Sequence, residues 1–179
     1  MGDMGKLRFA GAGTSGNGAV GAWDDKTPAA NEESWDIKGG GGETGPVNQQ
    51  TGADSFIYTN SSAIDGVTIM LNYKPGETTY DSTTGGGIAF TGVEGLNVGA
   101  AMEDNNTTDG AVVENTVFYA TYAMDAFTIG FQANESDSQT ANSDTEFEAW
   151  GVSYAVSEDI SISYGSSTVE YESGASLSD

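Results

Sequence analysis

The sequence contains no cysteine and no histidine. That removes disulfide staples, thiolate nucleophiles, imidazole acid–base chemistry and the common zinc ligand sets together. Cations are nearly as scarce: Lys6, Arg8, Lys26, Lys38 and Lys74 stand against 27 acidic residues, for a net charge of −22. So acidic a chain repels phosphate backbones and has no basic stripe to offset that, which excludes nucleic acid as a partner. No apolar run approaches the roughly 20 residues of a membrane helix. Met1-Gly2-Asp3 leads straight into the pattern without reading as an export signal, as expected either of a chain that is not exported or of one whose beginning is missing. Acidic chains poor in aromatics are disordered. Here 10% of residues are aromatic and regularly placed, so order is expected.

What the chain does have is glycine (26 residues, against three prolines) and a period of two. In Val67-Thr68-Ile69-Met70-Leu71-Asn72-Tyr73-Lys74 the odd positions are apolar and the even ones mostly polar. Phe127 to Gln132 and Ile160 to Tyr164 repeat the alternation, and Trp150, Val152, Tyr154 and Val156 share one face. Successive strand side chains point to opposite faces, so each segment is a strand with one apolar and one small polar face. Tight polar turns near Asp65, Glu94, Asp125 and Glu158 recur at 29, 31 and 33 residues. Longer polar segments, 75–87, 104–114 and 135–145, lie between them. Short connections at one end and long ones at the other describe an antiparallel up-and-down sheet. Eight strands after position 54, most of them 8 to 10 residues long, plus a short one at Lys6 to Ala10, are expected.

Alternation alone allows two all-β readings: a soluble β-domain with the apolar face as core, or a transmembrane barrel with that face toward lipid. Three features favour the barrel. The nominal interior set (Thr68, Asn72, Asn97, Gly99, Thr128, Gly130, Gln132, Ser161, Ser163) is small and uncharged. The aromatics fall in two tiers, Phe90, Tyr122, Phe127 and Tyr154 toward the short turns and Tyr73, Phe118, Phe131, Trp150 and Tyr164 toward the long loops, as interfacial girdles do. Acidic residues gather in the long loops. The soluble alternative would be an acidic secreted or surface domain that binds a ligand or adheres.

The opening stretch, KLRFAGAGTSGNGAVGA, contains an apolar run followed by Gly11-Ala12-Gly13-Thr14-Ser15-Gly16, which spells a dinucleotide-binding turn. That motif must open a helix within an alternating strand–helix chain. Residues Asn17 to Ala22, with Pro28 soon after, are poor helix formers, so no helix start is expected. The same stretch has a better match. Gly2-Asp3-Met4-Gly5-Lys6-Leu7-Arg8-Phe9 resembles the strand leading into the constriction loop of Gram-negative general porins. Gly18 to Pro28 and Glu32-Glu33-Ser34-Trp35-Asp36 are similar to alphaproteobacterial versions of that loop, and VFYATYAMDAFTIGFQANES and EAWGVSYAVSEDISISYGSS read like porin hairpins.

The resemblance implies an up-and-down transmembrane β-barrel, partial here with about 8–9 strands, as a middle segment of a sixteen-stranded homotrimeric barrel would be. It implies a strand at 1–10, an inward-folded constriction loop at 11–53 and four hairpins at 54–179. The implied partners are outer-membrane lipids, small hydrophilic solutes and ions, and the implied location is the cell outer membrane. The implied constriction groups are Lys6, Arg8, Asp24, Asp25, Glu32, Glu33 and Asp36. Lys6 and Arg8 are two apart and share a strand face, opposite Leu7 and Phe9. Excess acid at such a constriction predicts cation preference. No cofactor is expected. Glu103-Asp104-Asn105-Asn106 and Asn134-Glu135-Ser136-Asp137 are acidic enough for loop-bound calcium but lack EF-hand spacing. Adjacent carboxylates such as Glu32 and Glu33 are no evidence of acid–base geometry, so no enzyme is expected.

Overall fold

The computed structural model describes residues 4–11, 18–29, 52–76, 81–106, 112–174 and 176–178. They form one antiparallel sheet in chain order: β1 (Lys6–Ala10), β2 (Ser55–Asn60), β3 (Val67–Lys74), β4 (Thr83–Phe90), β5 (Leu96–Asn106), β6 (Val112–Met124), β7 (Phe127–Ser138), β8 (Thr145–Ala155), β9 (Ser161–Tyr171) and β10 (Ser176–Ser178). One helical turn, α1 (Ala19–Trp23), lies between β1 and β2. This is the expected all-β, up-and-down architecture.

The turns explain the strand pairing. Gly66 and Gly95 carry φ of 70° and 77°, and Asp125 carries 52°. These left-handed positions suit glycine and, less often, aspartate. A Cβ on Gly95 would collide with the Ala123 carbonyl oxygen across the neighbouring turn. The short connections are therefore specified locally, and they fix the register of each hairpin.

The faces sort as the alternation predicts. Val67, Ile69, Leu71 and Tyr73 share the outer face of β3, while Asn72 is buried on the inner one. All nine expected lipid-side aromatics lie on the outer face by strand parity. Eight are exposed (Tyr73, Phe90, Phe118, Tyr122, Phe127, Phe131, Trp150 and Tyr164) and Tyr154 is half-buried. Several touch across strands: Phe127 and Tyr154 with centroids 4.4 Å apart, Trp150 and Tyr164 edge-on at 5.5 Å. A soluble sheet would bury such a face as its core; here it is open.

Among the described residues the sheet has ten strands, the nine expected plus a three-residue β10 at Ser176–Ser178. Three expectations need correction. Strands β5 to β9 run to 11, 13, 12, 11 and 11 residues, longer than the 8 to 10 expected. Their extra turns of ladder are polar, and hydrophobic alternation does not register polar strand. For the same reason Asp104, Glu114, Glu135 and Asp137 stand on strands rather than in long loops. Neighbours such as Glu103 and Asp104, or Glu135 and Ser136, then point to opposite faces and do not converge on one ion. Finally, α1 exists where poor helix formers predicted none. Gly18 caps it without a side-chain hydrogen bond, and a turn this short is unstable alone. Tertiary burial of Ala19, Val20 and Trp23 holds it in place.

Candidate functional site

Residues 18–28 cross the inner face of the sheet as a strap. At its start the Ala19 N–H donates to Asn72 Oδ1 at 3.2 Å, so a β3 side chain satisfies an orphan donor of the helical turn. The Asn72 amide in turn donates to Glu103 Oε2 at 2.9 Å. In the middle, Val20 and Trp23 sit on Ala89, Ala101, Val117 and Tyr119 of β4, β5 and β6. The Trp23 and Tyr119 rings are 6.2 Å apart, and the Tyr119 hydroxyl donates to Asn97 Oδ1 at 2.9 Å. Burying side chains of this size contributes roughly 1.5–3 kcal/mol each.

Beyond α1 the strap reaches β7 and β8. Gln132 Nε2 donates to the Asp24 carbonyl, and the Lys26 N–H donates to Gln132 Oε1 at 2.8 Å. Thr27 and Pro28 then lie directly over glycines. A Cβ on Gly130 would sit 2.5 Å from Pro28 Cδ, and one on Gly151 would sit 2.6 Å from the Pro28 carbonyl oxygen. The small residues of the inner wall are thus a track cut to the strap's profile. Where the strap covers the wall, the inner face is apolar as well as polar, with Ala89, Val117 and Tyr119 joining the uncharged set read from the sequence.

Asp24 is 9% exposed. Burial, and then the neighbouring Asp25, push its carboxyl up to about 6; a backbone hydrogen bond and Lys26 oppose the rise. Desolvation penalises the charged form, so this carboxylate titrates near neutrality.

Four of the seven expected constriction residues are described. Lys6 and Arg8 pair with Thr59 and Ile57, which places both on the inner face, exposed, with Leu7 and Phe9 on the outer. Asp24 and Asp25 follow α1 on the same side of the sheet. The two groups are not adjacent: β1 holds the cations, whereas the Asp24 backbone bonds to β7, six strands further along the sheet order. Glu32, Glu33 and Asp36 lie outside the described residues, as does most of the Gly11 to Gly16 motif. Trp23, Tyr119 and the pair Asn72 and Gln132 were not expected to position the strap. Asn72, Gln132 and Gly130 did stand out as inward-facing, but alternation reports a face and not what that face touches.

The profile of the Gram-negative porin family matches residues 1–178. No curated protein and no solved structure matched the chain. With an exposed aromatic outer face, a polar inner face and a strap folded across it, the match is consistent at every level, and the chain belongs to the Gram-negative porin family of the outer membrane.

Proposed function

We propose that this porin chain contributes the wall and the constriction of a passive, water-filled, cation-preferring channel for small hydrophilic solutes and ions. Residues 11–53 act as the inward-folded constriction loop, and the assembly is a homotrimer. The observation that carries the reading is the strap at 18–28, seated across the polar inner face while the apolar face points away. In this arrangement Asp24, Asp25, Glu32, Glu33 and Asp36 bring negative charge into the lumen, and Lys6 and Arg8 face them from β1. Oppositely charged walls orient the field across the aperture. The acid excess raises local cation concentration, because low-dielectric walls focus field lines into the pore. Passage requires no catalytic step.

The test is the zero-current potential of the porin in planar bilayers under a KCl gradient. The expected permeability ratio of potassium over chloride is above one, falling toward one when Asp24 and Asp25 are both replaced by Asn. A ratio below one overturns cation preference. Replacing residues 19–28 with a Gly-Ser linker should raise single-channel conductance, and unchanged conductance overturns the constriction assignment. Mass measurement of the detergent-solubilised porin tests the trimer.

A further inference from the structure

We propose that Gln132 is the positioning residue that locks the strap to the β7 wall and so sets the aperture, an inference that rests on the strap being the constriction. Gln132 is fully buried, at 0% exposure, and its amide is engaged at both ends. Oε1 accepts from the Lys26 N–H at 2.8 Å, while Nε2 donates to the Asp24 carbonyl and to Asn134 Oδ1, the latter at 2.8 Å. One side chain therefore bonds a backbone donor and a backbone acceptor two residues apart, as a neighbouring strand would. The orientation of the amide is settled chemically, since a backbone N–H needs an acceptor and a carbonyl needs a donor.

Few other side chains can do this. An ionised Glu has no donor for Asp24, Lys and Arg have no acceptor for Lys26, and Asn is one methylene shorter. At the other end of the strap Asn72 accepts from the Ala19 N–H at the longer distance of 3.2 Å. Immediately past the clamp, Gly130 and Gly151 leave the space into which Thr27 and Pro28 settle. A neutral clamp also suits a lumen of high negative charge. It holds by hydrogen bonds that salt does not screen, and it adds no charge to the selectivity field.

The experiment uses the natural absence of cysteine. Thr27 is buried, so a T27C porin should react slowly with a small neutral thiol reagent. Gln132→Met preserves volume and removes both backbone contacts. In that background labelling of T27C should accelerate about tenfold or more, since each lost hydrogen bond is worth about a factor of five, and conductance should rise with it. Asn134→Ala removes the orienting partner and should give a smaller acceleration, about two- to threefold; it carries the test if Gln132→Met fails to fold. An unchanged labelling rate overturns the clamp. Faster labelling with unchanged conductance sustains the clamp as an anchor but overturns the constriction reading on which its functional role rests.

Discussion

Burial governs the ionisation of Asp24 before any neighbour does. With its carboxyl near 6 rather than 3.8, the folded chain holds this proton more tightly than the unfolded chain. Between about pH 3.8 and 6, then, the contribution of Asp24 to stability falls as pH rises, and above that window a constant cost remains. Asp24→Asn should remove the slope and stabilise the folded porin at pH 8 by about 1–3 kcal/mol, read by urea unfolding at pH 4 and pH 8. The same titration should reach function: cation preference declines as pH falls through 6 in the wild type, and in Asp24→Asn it is lower and flatter over that range. Gly87 makes a steric prediction of the same grain. A Cβ there would meet the Trp23 ring, with Ala101 Cβ at 2.6 Å and the Ala100 carbonyl oxygen at 2.7 Å. Backbone cannot yield cheaply, so Gly87→Ala should cost about 1–3 kcal/mol in the same urea assay.

At the scale of the element, each strand serves two solvents. On β7, Ile129 is 57% exposed on the outer face, while Thr128 faces inward with Gln132. Ile129→Arg should therefore weaken folding into lipid vesicles by up to about 2–4 kcal/mol, whereas Thr128→Arg should cost less than about 1 kcal/mol. Fractional folding measured by heat-modifiable migration distinguishes them, and the reverse order would mean that the faces are inverted. Elements also mark where sequence patterning stops being informative. The apolar halves of β3 and β7 announce themselves by alternation. The loop-side ends, such as Glu135 to Ser138 on β7, are ladder without hydrophobic contrast and read as loop. α1 has neither a side-chain cap from its own N-cap residue nor length, and its single turn depends on the floor of Ala89, Val117 and Tyr119 and on the Asn72 contact to Ala19.

For the whole molecule, the decisive contrast is between an aromatic face left open and a strap kept covered. Trp150 is 44% exposed on the outer face, and Trp23, on the strap's sheet-facing side, is 7% exposed. In porin reconstituted into vesicles, brominated lipid should strongly quench a variant retaining Trp150 alone, with a blue-shifted spectrum. A variant retaining only Trp23 should be quenched little. Equal quenching would place the strap against lipid and remove the basis for a lumen.

The sequence by itself determined the class of the protein. A two-residue period, tight turns at near-constant spacing and an acid excess dictate an up-and-down sheet with one lipid-compatible face, because strand parity and turn chemistry are local properties. It also placed Lys6 and Arg8 together on one face, since residues two apart on a strand must share it. Only the tertiary structure decided what the inner face holds. That Gln132 grips the backbone of Asp24 and Lys26, that Trp23 needs Gly87, and that Asp24 becomes a group of near-neutral pKa all depend on segments about 60 to 110 residues apart meeting across the sheet. No local periodicity encodes such long-range contacts.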